Sequence, residues 1–417
     1  MTRHTNRAVL GTGAVLLVST LVLTGCGSGF AGDDQDTPDA EGLTSSDDAL
    51  TVLIGSSGEA ETAAVQAAVD AWSEESGTDV TVQAASNLDQ ELSQGFAAGE
   101  PADLFYLSAD QAVGFAANDS LLAYGDQLSN KDDFYPSLVE NFTIDDEFYC
   151  APKDFSSLAL IINTTMWADA GLTEDDIPAT WDELAAVAKT LTTADHVGLA
   201  FGAEYQRVGA FMAQAGGGLI RDGAVIADDP ANVEALEYVR THLADGTFAF
   251  AKDVGAGWGG EAFGKESAAM VIEGNWITGA LTNDFSGVEY TVAELPEGPA
   301  GKGTLQFTNC WGMAADSPNQ QAALELVEYL TSADSQLAFS EAFGPMPSIE
   351  SAAADWTAAN EPLAPFLAGA EYAQFPPTQA GSADVIADFN AQLESLKSTE
   401  PADILESVQT NLEAVVQ

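Results

Sequence analysis

Short apolar runs rich in β-branched residues alternate along the chain with stretches in which apolar residues recur at helical spacing. Residues 50–54 form the first such run, and residues 62–75 then follow the helical pattern. Residues 79–83 alternate as a second strand, residues 88–98 are again helical in pattern, and residues 102–107 give a third strand. This strand–helix–strand order predicts an α/β fold with a parallel sheet and right-handed crossovers.

Both patterns continue to the end of the chain. Further strands are predicted at residues 148–163, 197–201, 268–272 and 290–295. Further helices are predicted at residues 181–190, 206–215, 233–243, 319–330, 333–343, 383–396 and 401–416. Because open α/β sheets bind ligands beyond the carboxyl ends of their strands, we expect a site near the loops after Ile54 and Leu107 and around Asp154.

A different pattern occupies the beginning of the chain. Two arginines precede an apolar run over residues 8–23, which is too short for a comfortable membrane span and is typical of a secretory signal peptide. The run ends in Leu23-Thr24-Gly25-Cys26, which resembles a bacterial lipobox with a lipidated cysteine. The alternative is an ordinary signal peptide in which Cys26 has no role. We interpret residues 1–25 as a lipoprotein signal peptide and residues 26–48, which are rich in small polar residues, as a disordered tether.

The charge balance excludes several classes of partner. The chain has 12 Lys plus Arg against 65 Asp plus Glu, a formal net charge of −53. Such a surface does not attract nucleic acid or an anionic bilayer, so membrane association is expected only through the lipid. The acidic residues are scattered and give no EF-hand spacing, which favours a solvated surface over a cation site.

Two cysteines remain after Cys26, namely Cys150 and Cys310. In an exported protein they can form a disulfide, and two unpaired core thiols are the alternative. A metal site would need further ligands, and His196 and His242 are the histidines beyond the signal peptide. We therefore expect no metal and no cofactor.

Several motifs occur in a fixed order along the chain. They are the Gly-Ser-Ser-Gly loop after Ile54, Pro101-Ala-Asp-Leu-Phe-Tyr106, Ala151-Pro-Lys-Asp-Phe-Ser-Ser-Leu-Ala-Leu160, Thr180-Trp-Asp-Glu-Leu184, Ala269-Met-Val-Ile-Glu-Gly-Asn-Trp276 and Asn309-Cys-Trp-Gly312. Together they resemble the carbohydrate-binding lipoproteins of ABC importers, the maltose-binding-protein-like members of extracellular solute-binding protein family 1. The resemblance covers nearly all of the chain from Leu50 onward, and it is carried by the order and spacing of the motifs.

The resemblance implies a type II periplasmic-binding-protein fold, in which two hinge-linked α/β lobes enclose a ligand cleft. The N-terminal lobe would comprise residues 49–153 plus 306–344, and the C-terminal lobe residues 154–305 plus 345–417. Crossings between the lobes would then lie near residues 153–156, 306 and 344–347. The two remaining cysteines both flank such crossings, which favours the disulfide and suggests that it braces the hinge.

A sugar presents an apolar C–H face and a rim of hydroxyls, so its site needs aromatic faces and planar polar groups. The aromatic candidates are Tyr205, Trp258, Trp276 and Trp311. The polar candidates are Glu59, Asp110, Asp154, Arg207 and Glu273. Packing in a core or anchoring of a loop is the alternative for each aromatic residue, and a solvated surface position is the alternative for each carboxylate.

The sequence thus predicts a monomeric, lipid-anchored protein on the extracellular face of the bacterial membrane. It would capture a di- or oligosaccharide of the maltose or trehalose type and deliver it to the permease subunits of an ABC importer. We do not expect an enzyme, because the chain has no Gly-x-Ser-x-Gly elbow, zinc motif or phosphate-binding loop. The alternatives are a binder of polyamine or metal cations, suggested by the acidity, and a glycoside hydrolase that uses paired carboxylates.

Overall fold

The computed structural model describes residues 42–56, 58–221 and 223–416. The predicted signal peptide, Cys26 and residues 26–41 of the predicted tether lie outside these residues. Over the part of the chain that is described, no helix is both long enough and apolar enough to cross a membrane.

Strands and helices alternate through the described residues. The strands are β1 (Leu50–Ile54), β2 (Val80–Ala84), β3 (Leu104–Ser108), β4 (Thr143–Ile144), β5 (Glu147–Phe148), β6 (Ala151–Pro152), β7 (Ser156–Asn163), β8 (Val197–Phe201), β9 (Ile220–Arg221), β10 (Ala224–Val225), β11 (Phe248–Phe250), β12 (Ala268–Gly274), β13 (Tyr290–Ala293), β14 (Thr304–Phe307), β15 (Asn309–Met313) and β16 (Ala373–Gln374). The helices are α1 (Glu59–Ser76), α2 (Leu88–Ala98), α3 (Ala109–Ala116), α4 (Pro136–Asn141), α5 (Thr164–Asp169), α6 (Trp181–Leu191), α7 (Tyr205–Gln214), α8 (Pro230–Asp245), α9 (Gly259–Gly264), α10 (Ile277–Asn283), α11 (Gln320–Leu330), α12 (Ala333–Phe343), α13 (Ala353–Ala359), α14 (Ala364–Ala368), α15 (Ser382–Leu393) and α16 (Pro401–Val415).

The first sheet has the strand order β2-β1-β3-β15-β6. Strand β1 runs parallel to β2 and β3, as the sequence predicts. Strand β15 runs antiparallel to both β3 and β6, so the sheet is mixed beyond the three parallel strands that the sequence predicts. The pattern missed β15 because its sequence, Asn-Cys-Trp-Gly-Met, lacks the β-branched residues that mark a strand.

The second sheet has the order β11-β8-β12-β7-β14-β16, and β13 also pairs with β7. Strand β7 is central, since it runs antiparallel to β12 on one side and to β13 and β14 on the other. The single strand predicted over residues 148–163 is therefore divided into β5, β6 and β7. The division falls at Lys153 and Asp154, where the chain leaves one sheet and enters the other.

The chain passes from the first sheet to the second between β6 and β7, and it returns between β14 and β15 through Thr308. Both passages lie where the resemblance placed crossings. Cys150 and Cys310 form a disulfide with their Cα atoms 5.6 Å apart, so this prediction is confirmed. Cys310 also pairs with Pro152 in the sheet, which places the bond beside both passages. The exact lobe boundaries stay a prediction.

Apolar side chains form a separate core on each sheet. Trp72 belongs to the core of the first sheet, whereas Trp167 and Trp181 belong to that of the second. Trp356 lies in a third cluster together with Phe155 of the first passage. All four tryptophans are buried, as expected for residues assigned to packing.

The end of the predicted tether is attached to the first sheet's layer of helices. Leu43 packs against its core, and the Thr44 N–H donates to Gln320 Oε1 at 3.0 Å. The Thr44 hydroxyl accepts from the Gln320 N–H at 3.2 Å, at the first residue of α11, where a helix N–H lacks an intrahelical partner. The end of the predicted tether, from Leu43 to Thr44, thus contacts the first sheet's layer of helices, and the tether's exact bounds stay a prediction.

Removal of the disulfide should lower the free energy of unfolding by about 2–5 kcal/mol, because the bond restricts the unfolded chain. It joins residues separated by 160 positions in sequence. The variant Cys150→Ala/Cys310→Ala can be compared with wild type by urea denaturation followed by tryptophan fluorescence. Reduced wild type serves as the control and should unfold at the same denaturant concentration as the variant. Equal midpoints for the variant and the oxidised wild type would contradict this expectation.

Candidate functional site

A cavity of about 450 Å³ lies at the carboxyl end of β3, beside the passage from β14 to β15. It is lined by Ser108, Ala109, Asp110, Asn141, Gln206, Gln306, Phe307, Thr308, Asn309, residues 375–378, Ala383, Ile386, Ala387 and Asn390. Both sheets contribute to this lining, through Ser108 on one side and Phe307 on the other. The position agrees with the expectation of a site near the loop after Leu107.

A second cavity of about 650 Å³ adjoins the first. The two share Asn141 and residues 375–378 as a common wall. The second is bordered by the β4 and β5 hairpin region, by Tyr205 and by the segment from Gly217 to Arg221. Together they make a continuous concave region between elements of the two sheets.

Three of the predicted site residues form one contact group. Arg207 Nη2 donates to Glu273 Oε2 at 2.7 Å, and Trp276 Nε1 donates to the same oxygen at 3.1 Å. The Arg207 guanidinium also lies over the Trp276 ring, 5.3 Å from its centroid. The ring is 39 % exposed, and its edge-to-face partner Phe307, at 5.7 Å between centroids, lines the first cavity. This group therefore presents a fixed aromatic face near the cavity.

The fold of the second sheet positions this group. Strand β12 is buried throughout, and Glu273 is its second-last residue, so the carboxylate is completely buried. A Cβ at Gly259 would lie 2.5 Å from Glu273 Oε1, so only glycine permits this approach of α9. Trp258 immediately precedes Gly259 and is half-buried against the third cluster. Gly259, directly after Trp258, thus lets the backbone approach Glu273.

Burial sets the electrostatics of Glu273. It raises the pKa of the Glu273 carboxyl, and the Arg207 guanidinium opposes this shift. Glu273 Oε2 has two partners, whereas Oε1 has none within the described protein.

A second group surrounds Lys153 at the first passage between the sheets. Its ammonium pairs with Asp154 and with Glu61 Oε1, the latter at 3.3 Å. It lies 4.4 Å from the centroid of the Tyr106 ring, which in turn packs on Trp311 at 4.7 Å. Burial raises the pKa of the Asp154 carboxyl, and Lys153 opposes the shift. Asp154 is therefore held by an ion pair at the first passage between the sheets.

Two predicted stacking residues are buried instead. Trp311 is 1 % exposed because β15 pairs it directly opposite Tyr106 on the covered face of the first sheet. Tyr205 is 2 % exposed, and its ring packs 6.0 Å from Phe389, although the residue also borders the second cavity. In this conformation both rings have the packing role that the sequence left as the alternative.

The remaining candidates lie apart from these groups. Asp110 is exposed and lines the first cavity. Glu59 is exposed at the first residue of α1, two residues before Glu61, and lines neither cavity.

Sequence reasoning missed several residues near the cavity. Lys153 stands inside a quoted motif and is one of few basic residues, so a signal was present. Asn141, Gln206 and Asn390 carry no local signal, because only the tertiary fold brings their three helices together. The sequence predicted residue 306 only as the position of a crossing between the lobes, not as a site residue.

Buried polar atoms without a partner in the described protein concentrate in this region. They include Arg207 Nε, Glu273 Oε1, Asn275 Oδ1, Trp311 Nε1 and both amide atoms of Gln306. Native proteins leave few such atoms, and each costs about 1–3 kcal/mol when it is truly unsatisfied. The region is therefore rich in hydrogen-bonding capacity that the fold itself does not use.

No group of three or more His, Cys, Asp or Glu side chains with the arrangement of a metal site occurs among the described residues.

Comparison with known proteins supplies the family. The profile of the bacterial extracellular solute-binding protein family matches residues 67–365. The chain belongs to this family. The predicted resemblance to extracellular solute-binding proteins is thereby confirmed.

Two sequence relatives and one solved structure extend this result. The diacetylchitobiose binding protein DasA of Streptomyces coelicolor is 25 % identical over 280 residues, which are 64 % of this chain and 65 % of that protein. The galactooligosaccharide-binding protein of Bacillus subtilis is 24 % identical over 277 residues, 62 % of this chain and 63 % of that one. The chain thus spans just under two thirds of the length of these relatives.

The solved structure is that of the cyclic α-maltosyl-1,6-maltose binding protein from Arthrobacter globiformis. It matches with a TM-score of 0.78 at 22 % identity, over 88 % of this chain and 98 % of that one. At this identity the likeness shows the fold alone. The predicted two-lobe, type II periplasmic-binding-protein fold is confirmed.

The variant Glu273→Gln should alter the pH dependence of stability in a defined direction. Because burial raises the pKa of Glu273 above its ordinary value of about 4.5, the native protein binds this proton more tightly than the unfolded chain. The contribution of Glu273 to stability is then fully present below that ordinary value and is lost as the pH rises through the raised one. The free energy of unfolding of wild type minus that of Glu273→Gln should therefore fall as the pH rises above that ordinary value. Urea denaturation at several pH values measures the difference, and a difference that stays constant or rises would be inconsistent with it.

Proposed function

We propose that the protein captures a di- or oligosaccharide between its two lobes and delivers it to the permease subunits of an ABC importer. The observation that carries this proposal is the chemistry of the first cavity. Its described lining includes five side-chain amides and one carboxylate, Asp110, in a chain with 65 acidic residues. Amides offer both donors and acceptors, which suits neutral hydroxyl groups.

The same lining argues against the cation-binding alternative. A polyamine or metal cation would need several carboxylates facing the ligand, whereas the first cavity has only Asp110 among its described lining residues. The acidic residues that give the chain its net charge lie mostly elsewhere. The lining of the first cavity thus favours a neutral ligand there, while Glu140 and Asp145 border the second cavity.

Trp276 supplies the aromatic face that a sugar needs. Its ring is partly exposed, and the bond from its indole N–H to Glu273 together with the Arg207 guanidinium holds it in place. A ring already held in its binding orientation loses little conformational entropy when the apolar face of a sugar packs on it.

The two adjoining cavities support a ligand longer than one sugar ring. Small-molecule pockets commonly measure about 300–1,000 Å³, and here about 450 Å³ and about 650 Å³ share a wall. The names of the relatives and of the solved structure mention chitobiose, galactooligosaccharide and a cyclic maltosaccharide. A di- or oligosaccharide of the maltose or trehalose type is our proposal for this chain.

We also propose that the protein is a binder and has no hydrolytic activity. Glycosidases use two carboxyl groups that flank the scissile bond. Here Glu273 is buried and paired with Arg207, and Asp154 is paired with Lys153. The first cavity thus offers Asp110 without a second lining carboxylate among the described residues.

Capture would proceed by closure of the lobes around the sugar. The two passages between the sheets are the places where the lobes can change their relative orientation, and the ligand would favour the closed arrangement by contacts from both sides. A lipid on Cys26 would keep the protein on the extracellular face of the membrane, near the permease, as a monomer.

Trp276→Ala should weaken sugar binding by about 1–3 kcal/mol, since the stacking face is removed. Trp276→Phe keeps an aromatic face but loses the indole N–H, so it should retain most of the affinity. Isothermal titration with the tightest-binding sugar measures the affinities, and thermal melting of both variants controls for folding. Wild-type affinity in Trp276→Ala would refute the stacking role.

A thermal-shift series should show the largest stabilisation with oligosaccharides that fill both cavities. Bound ligand stabilises the native state by about 2.7 kcal/mol at a concentration one hundred times its Kd. Glucose, maltose, trehalose, maltotriose, diacetylchitobiose and a galactotriose make a suitable panel, with spermidine and calcium as controls. A larger shift with spermidine or calcium than with every sugar would overturn the proposed function, and released monosaccharide after incubation would overturn its binding-only character.

A further inference from the structure

Among the described residues, Gln306 has a buried side-chain amide with neither its nitrogen nor its oxygen hydrogen-bonded within the protein. Its side chain has no exposed surface, and neither Nε2 nor Oε1 has a hydrogen-bond partner in the described protein. The residue lies in β14, one position before Phe307, and it lines the first cavity.

Two other buried glutamines, Gln214 and Gln336, have hydrogen-bond partners for their side-chain amides. Gln214 Oε1 accepts from Trp181 Nε1 at 2.6 Å, and its Nε2 donates to the Gly303 carbonyl at 2.9 Å. Gln336 exchanges two bonds with Ser348, of 2.8 Å and 2.6 Å. Both residues thus hold segments of the chain together through their amides, which Gln306 does not do.

The neighbours of Gln306 show that the strand is secured without it. Leu305 is buried in the core of the second sheet, and the backbone of Gln306 pairs with Ser157 in the sheet. Thr308 donates its hydroxyl to the Asp154 carbonyl at 2.5 Å. No hydrogen bond within the described protein therefore explains why this buried residue is a glutamine. A buried amide without partners costs free energy.

We infer that Gln306 is a specificity-determining residue whose amide hydrogen-bonds the ligand in the first cavity. The inference rests on the proposed function. An amide presents one donor group beside one acceptor, so it matches a pair of neighbouring hydroxyls, each of which can donate and accept. A carboxylate or phosphate would satisfy only the donor, and an ammonium only the acceptor.

A matched pair of variants tests the inference. Methionine has nearly the shape of glutamine without its polar atoms, so Gln306→Met removes the amide and retains the packing. Because the lost atoms have no partner in the protein, the melting temperature of the ligand-free variant should equal or exceed that of wild type. Gln214→Met is the control and should lower the melting temperature, since it leaves the Trp181 N–H and the Gly303 carbonyl without partners.

Ligand binding completes the test. Each variant is titrated with whichever of maltotriose, diacetylchitobiose and galactotriose binds wild type most tightly. Gln306→Met should bind about tenfold to one hundredfold more weakly, as expected for the loss of two hydrogen bonds, whereas Gln214→Met should bind nearly as wild type does.

The possible results separate the hypotheses. Wild-type affinity in Gln306→Met would overturn the inference and leave the proposed function standing. A fall in melting temperature as large as that of Gln214→Met would assign Gln306 a structural role and would overturn it as well. Failure of wild type to bind any sugar of the panel would overturn the proposed function itself.

Discussion

A buried hydrogen-bonding group costs free energy until it has a partner, and this constraint separates two kinds of polar residue in the protein. Away from the cavities, many buried groups are paired, although Asn130 Oδ1 and Asn163 Nδ2 have no partner in the described protein. Asp103, for example, accepts from the Thr51 N–H and hydroxyl, both at 2.8 Å, and from the Ser317 hydroxyl at 2.7 Å. Around the passages between the sheets, by contrast, several buried polar atoms have no partner in the described protein. The first kind of residue stabilises the fold, whereas the second has hydrogen-bonding capacity that the described protein does not use.

The two passages between the sheets also determine where these unpartnered polar atoms lie. Strands β6 and β15 bring two distant parts of the chain side by side in the first sheet, and the Cys150–Cys310 disulfide joins them covalently. Beside these strands lie the two passages to the second sheet, where Gln306 and Phe307 line the first cavity and the Phe307 ring packs on Trp276. The candidate site is thus assembled by the connections between the sheets, and a change in their geometry would alter both of its sides together.

Charge is distributed in a way that composition does not reveal. The net charge of −53 suggested that a cation binder was a reasonable alternative. The first cavity instead collects amides from α4, α7 and α15 and from the passage between the sheets, with a single carboxylate in its described lining. Three deeply placed carboxylates, those of Glu61, Asp154 and Glu273, pair with Lys153 or Arg207. Two of the few basic residues thus lie where burial of a lone carboxylate would be costly.

The sequence by itself determined most of the secondary structure and the family. Strands at residues 50–54 and 197–201 and helices at residues 88–98 and 333–343 have their predicted bounds, because their periodicity is local and strong. The sequence also predicted Arg207, Glu273 and Trp276 as site residues, and these three side chains are in contact.

Only the tertiary structure decided the mixed sheets, the burial of Trp311 and Tyr205, and the amide-lined cavity. Strand direction, and which face of a strand or helix is covered, depend on partners distant in sequence. An amide likewise gives no local sign of whether the fold will provide it with a partner.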